Sequence, residues 1–197
     1  MKIVIAGAGE VGTHLAKMLS QENQDIILMD PNEERLKFTN NMEVLAMVGN
    51  PTSLKDLQES GIKDADLFIS VTPEEPTNIT ACMLAHSLGA HKTLARINNY
   101  EYLQPKNIEF FQKLGISSMI YPEMLAAREI VTAVQRPWAR QYWELFGGAL
   151  ILIGVKVRDN APIVNKRLTD LSLDQKLYHI VAIKRANETI IPRGTDH

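Results

Sequence analysis

Lys2 to Asp30, KIVIAGAGEVGTHLAKMLSQENQDIILMD, is the stretch whose reading decides the fold. Ile3, Val4 and Ile5 form a short apolar run of the kind found in strands buried on both faces. Gly7, Gly9 and Gly12 follow at G-x-G-x-x-G spacing, and a helix is expected to start near Val11, with Val11, Leu15, Met18 and Leu19 at helical intervals. The first glycine lets the chain turn sharply out of the strand. The second lets backbone approach a pyrophosphate with no Cβ in the way, and the third lets helix and strand pack closely. Unpaired N–H groups and the positive dipole end at the helix start make an anion site before any side chain is considered.

The glycine spacing is weak in isolation; its flanks decide. A second strand, Ile26 to Met29, ends in Asp30, 18 positions after Gly12 and about where the ribose-binding carboxylate of a dinucleotide fold belongs. A carboxylate there pairs with a free 2′-hydroxyl and repels a 2′-phosphate, so NAD(H) is favoured over NADP. ATP or ADP would use the same half-site.

Composition narrows the function classes. The 197 residues can bury one substantial core, or one of about 130 residues plus a smaller module. Lys and Arg number 21 against 23 Asp and Glu, so no basic face for nucleic acid is advertised. The single cysteine, Cys82, fits a reducing compartment and reads as a core residue within Thr80 to Leu84. The apolar run after Lys2 is too short for a signal peptide, and no later run approaches a membrane span. A soluble, cytoplasmic chain is expected.

Beyond Asp30 the pattern predicts a helix from Pro31 to Asn40 with Leu36 and Phe38 as its apolar residues, and a strand from Val44 to Val48. A helix capped by Thr52 or Ser53 and closed by Gly61 follows, then a strand from Asp66 to Val71. Thr72-Pro73-Glu74-Glu75-Pro76 is expected as a loop because of its two prolines, before a helix from Thr77 to Leu88 and a strand from Thr93 to Ile97. A sixth strand at Ser118 to Tyr121 leads into a helix from Pro122 to about Arg136, whose apolar side carries Met124, Leu125, Ile130, Val131 and Val134.

Strands alternating with helices at short spacing predict an α/β fold, a Rossmann-like doubly wound parallel sheet over residues 1–136. Ligands of such sheets bind outside the carboxyl ends of the strands, where strand order reverses. The candidate nucleotide contacts are therefore Gly7, Ala8, Gly9, Glu10, Val11 and Gly12, with Asp30, Asn50, Thr72, Pro73 and Arg96 from later strand ends. Arg96 would face the pyrophosphate or make an ordinary salt bridge, Asp30 would accept from the adenosine ribose, and Asn50 would lie near the adenine.

Residues 137–148, PWARQYWELFGG, read as an aromatic linker that packs either in a subunit contact or on its own domain. Residues 149–197 then read as a small, truncated α+β module: a strand from Ala149, a short helix with Leu168 and Leu171, and a hairpin of His179 to Lys184 with Thr189 to Ile191. With an unpaired strand edge and little core, the module is expected to be part of a longer protein. His14, His86, His91 and His179 are scattered, and no catalytic pair, metal-ligand spacing or nucleophile elbow appears. An NAD-dependent dehydrogenase using the same cradle, the competing class, needs an acid or base beside the nicotinamide.

KIVIAGAGEVGTHLAKMLS, the acid after the second strand, GNPTSLKDLQESGIKDADLFISVT, the helix-opening Asn78 and TLARINN together resemble the N-terminal domain of the TrkA family of potassium-uptake regulators, built from RCK or KTN domains. PIVNKRLTDL and VAIKRANETIIPRGT resemble part of that family's C-terminal domain. Two positions depart from the pattern: Asn50 stands where an aspartate is common, and Glu75-Pro76 replaces an Asp-Glu pair. The resemblance implies a non-enzymatic regulatory subunit that binds NAD(H), or ATP or ADP, and forms a homo-oligomer, a dimer or larger ring. It implies gating of a membrane potassium transporter, with the membrane reached only through that partner.

Overall fold

In the computed structural model, residues 1–37, 39, 42–171 and 178–193 are described. The chain divides into two compact units, Met1–Ile130 and Val131–His197. The first is a six-stranded, all-parallel sheet of β1 (Lys2–Ala6), β2 (Asp25–Asp30), β3 (Leu45–Val48), β4 (Leu67–Ser70), β5 (Thr93–Arg96) and β6 (Ser118–Ile120). Strand order is β3-β2-β1-β4-β5-β6, the doubly wound arrangement, so the order reverses between β1 and β4.

Alternation along β1 divides the core in two. Ile3 and Ile5 point to one face with Ile26, Leu28, Leu36 and Ile69, where α1 (Glu10–Ser20) packs through Ala16. Val4 and Ala6 point to the other with Leu57, Phe68 and Phe111, where α4 (Glu75–Ser87) packs through Ala81, Cys82 and Ala85. A sheet covered on both faces needs strands apolar at every position, which is why β1 reads as an unbroken run.

Between β2 and β3 lies α2 (Glu33–Leu36), much shorter than the helix expected over 31–40; Asn32 caps it by accepting from the Glu34 amide. Phe38 and Asn40 lie outside the described residues, as do Gly194 to His197. α3 (Leu54–Glu59) is capped by Ser53, which accepts from the Asp56 amide, and the chain leaves it through Gly61 at φ +65°. The expected loop from Thr72 to Pro76 is shorter than its prolines suggest. Pro76 sits in the first turn of α4, where a missing N–H has no intrahelical partner to lose. α5 (Pro105–Lys113) precedes β6, and α6 (Pro122–Gln135) follows it.

Within the second unit the aromatic stretch is not a linker. Ala139–Leu145 forms β7, which pairs antiparallel with β8 (Leu150–Val155) through a turn at Phe146-Gly147-Gly148. All three turn residues have positive φ. The β7–β8 pairing supplies the backbone partners a linker would have lacked, while Arg136 stacks over the Tyr142 ring with its guanidinium 3.9 Å from the centroid. α7 (Leu168–Leu171) and a hairpin of β9 (Ile183–Arg185) with β10 (Glu188–Ile190) complete the described part; β9 is shorter than the strand expected from His179. No helix among the described residues is long and apolar enough to cross a membrane.

Candidate functional site

The glycine turn joins β1 to α1, and each glycine meets a different constraint. Gly7 has φ +103° and donates to the Met29 carbonyl at 2.8 Å; a Cβ there would lie 3.0 Å from the Thr72 nitrogen. At Gly12 a Cβ would fall 1.8 Å from the Gly7 carbonyl oxygen, so this position holds helix against turn. A Cβ on Gly9 would meet nothing within 4 Å. Gly9 is also the N-cap of α1, and no side chain caps that helix end. The turn thus presents an uncapped helix N-terminus to open space at the switch point of the sheet, a cradle that suits an anion.

Asp30, at the end of β2, is 2% exposed and already engaged. Its Oδ2 accepts from the Ala8 amide at 2.8 Å and its Oδ1 from the Asn32 amide at 2.8 Å, with the Arg35 guanidinium 3.7 Å from Oδ2. A carboxylate has about four acceptor positions, so two backbone bonds leave capacity for ribose hydroxyls. One residue therefore shapes the glycine turn and keeps acceptor positions to spare beside it.

The remaining candidates connect through hydrogen bonds. Gly49, after β3, donates to the Asp30 carbonyl at 3.2 Å. Asn50 donates its amide to Asp56 at 2.7 Å, and its side-chain oxygen accepts from the Thr52 amide and hydroxyl, so that oxygen holds a turn. Thr72 is buried after β4 and Pro73 beside it is exposed. Arg96, at the end of β5, pairs Nη2 with Oε1 of Glu123 at 3.0 Å, while its buried Nε has no partner among the described residues. Hydrogen bonds thus join Gly49 to Asp30 and Asp30 to Ala8, and the chain at Gly7 packs closely beside Thr72.

The last link is Asn78, which the sequence reading did not place in the site. It is 1% exposed on α4. Its Oδ1 accepts from the Ser70 hydroxyl and the Thr72 amide, both at 2.9 Å, and lies 2.8 Å from the Thr72 hydroxyl. Its Nδ2 donates to the carbonyls of Thr72 and Arg96, both at 3.0 Å. Spacing could have revealed it, because 78, 81, 82 and 85 lie at i, i+3, i+4, i+7 and Asn78 is the polar member of that inward face. Glu75 was missed too; its Oε2 accepts from the Asn98 and Asn99 amides at 2.5 and 2.7 Å and fixes the loop after β5.

Compared with known proteins, residues 3–122 match the family described as the TrkA-N domain. A Trk system potassium uptake protein TrkA homolog from Archaeoglobus fulgidus is 33% identical over 194 residues, covering 98% of this chain and 44% of that protein. A TrkA homolog from Methanothermobacter thermautotrophicus is 34% identical over 195 residues, covering 98% of this chain and 87% of that one. The chain spans less than half the length of the first of these and most of the second. The TrkA-N domain of the inner membrane protein ybaL from Escherichia coli superposes with a TM-score of 0.59 at 16% identity, over 68% of this chain and 96% of that one. GsuK bound to ADP superposes at 0.57 with 18% identity, over 68% and 35%. The GsuK channel bound to NAD superposes at 0.50 with 18% identity, over 60% and 21%. These likenesses carry the fold.

Proposed function

This chain belongs to the TrkA-N family, and from that premise we propose that it is a nucleotide-binding regulatory subunit that gates a membrane potassium-uptake transporter. The observation that carries the reading is the open space at Gly9 facing an uncapped α1 N-terminus. A diphosphate lies there, held by backbone N–H groups of the turn and first helical residues, with Arg96 as the cation on its far side. The adenosine ribose bonds Asp30, and Asn50 borders the adenine. NAD(H) is the preferred ligand because the Asp30 carboxylate disfavours a 2′-phosphate; ATP and ADP share the half-site. That GsuK has been solved with NAD and with ADP supports both possibilities for this fold.

The output is a change of arrangement, without chemical turnover. Bound ligand ties loops from β1, β2, β4 and β5 into one geometry, and it shifts an assembly only as far as it binds one state better. Copies of the chain associate through α6, where Leu125, Ile130, Val131 and Val134 are exposed, as a dimer or larger ring. Small-angle scattering of the protein empty, with NADH and with ATP tests the gating step. The proposal expects at least two distinguishable profiles; three superimposable profiles under saturating ligand contradict it.

A further inference from the structure

We propose that Glu123 competes with the ligand for Arg96, so that an internal carboxylate occupies the guanidinium when nucleotide is absent and is released from it when a phosphate arrives. This rests on the nucleotide reading above and adds a residue that neither the glycine motif nor Asp30 implies.

The geometry sets up the competition. In the strand order Arg96 has the glycine turn two strands to one side, at the end of β1, and β6 on the other. Neighbouring parallel strands lie about 4.8 Å apart, so the turn is about 10 Å away across the sheet, within reach of an extended arginine and a diphosphate between them. On the opposite side the register pairs Arg96 with Ile120, which brings Glu123, in the first turn of α6, within 3.0 Å of Nη2. The base of the arginine is fixed, because its carbonyl accepts from the buried Asn78 amide. Its side chain is only 22% exposed while that of Glu123 is 54% exposed. The carboxylate is therefore the more mobile partner, and the buried, unpartnered Nε leaves the guanidinium short of acceptors even when the pair is closed.

A phosphate and a carboxylate make the same charge-assisted contact with a guanidinium. If the ion pair holds Arg96 most of the time, apparent ligand affinity falls by the fraction of molecules in which Arg96 is free. Loss of the pair also frees the first turn of α6, the helix carrying Leu125 and Ile130. Occupancy at the glycine turn thereby reaches α6 through one exchanged contact.

ADP binding by calorimetry is measured for the wild type, Glu123→Ala, Arg96→Ala and the double variant, with EDTA present so that no divalent cation bridges carboxylate to phosphate. Glu123→Ala is expected to bind ADP about fivefold more tightly than the wild type. Arg96→Ala is expected to bind about tenfold more weakly, and the double variant to match it, because Glu123 acts only through Arg96. Hydrogen–deuterium exchange gives a second readout. ADP is expected to speed exchange of amides near residues 123–126 in the wild type and to leave it unchanged in Glu123→Ala. Affinity of Glu123→Ala equal to or below that of the wild type overturns the competition while leaving the nucleotide reading intact. Absence of ADP binding in every folded variant overturns both.

Discussion

At Gly9 and Gly12 the same substitution is expected to do opposite things. Gly12→Ala drives a methyl group against the Gly7 carbonyl oxygen and should destabilise the fold by about 3 kcal/mol or prevent folding. Gly9→Ala points a methyl group into open space from φ −75°, so stability should change by no more than about 1 kcal/mol while nucleotide affinity falls at least about tenfold. Melting curves with ligand titrations of both variants check the pair. Asp30 behaves less simply. Alanine orphans the Ala8 and Asn32 amides, so Asp30→Ala should lose about 2 to 4 kcal/mol of stability and Asp30→Asn clearly less in chemical denaturation. The place of Asp30 was legible from its distance to Gly12, but its bond to Ala8 was not, because nothing local in sequence tells which backbone group a carboxylate will meet. Cys82 gives a pH signature. Burial pushes its thiol from 9.0 up to about 12. The unfolded chain releases this proton from about pH 9 and the folded chain only near 12, so the contribution is full below pH 9 and fades as pH rises between those values. Wild-type protein should therefore lose about 1 kcal/mol more stability than Cys82→Ala between pH 9 and 10, read from urea midpoints.

Helix α4 joins the crevice into one piece through a single side chain. Asn78 bonds groups on β4, the loop after it and the end of β5, with both its oxygen and its nitrogen used. Asn78→Ala should cost about 3 kcal/mol and weaken ligand binding as well, since the Thr72 amide and the Arg96 carbonyl lose their partner together. Thermal melting with and without NADH checks this, and an unchanged melting temperature would mean that water replaces the amide. Strand and helix identities were legible wherever an apolar period of two or 3.6 was uninterrupted, as in β1 and α1. Prolines misled at Pro76, which a helix accepts in its first turn. The aromatic stretch misled for a different reason: Trp138, Tyr142 and Trp143 drew attention to packing, although Gly147-Gly148 between two β-prone runs is a hairpin signal. Arg96 was expected either at a phosphate or in a salt bridge, and its guanidinium makes the bridge with Glu123. Glu123 could not be named as its partner until the β5–β6 register was known.

At the scale of the assembly, the exposed apolar residues need an explanation. Leu125, Ile130, Val131 and Val134 on α6, and Leu150 to Ile153 with Val155 on β8, are more apolar surface than single scattered residues provide. Light scattering at micromolar concentration should give at least a dimer, and Ile130→Asp with Val134→Asp should shift it towards monomer while leaving NADH affinity within about threefold. A monomeric wild type would remove α6 from the interface. Nucleotide binding at the glycine turn is tested by calorimetric titration of the wild type and Gly9→Ala with NADH. One saturable site per chain in the wild type, weakened at least about tenfold in a Gly9→Ala protein that melts like the wild type, is the predicted result; no binding to folded wild type at millimolar NADH, ADP or ATP would contradict it.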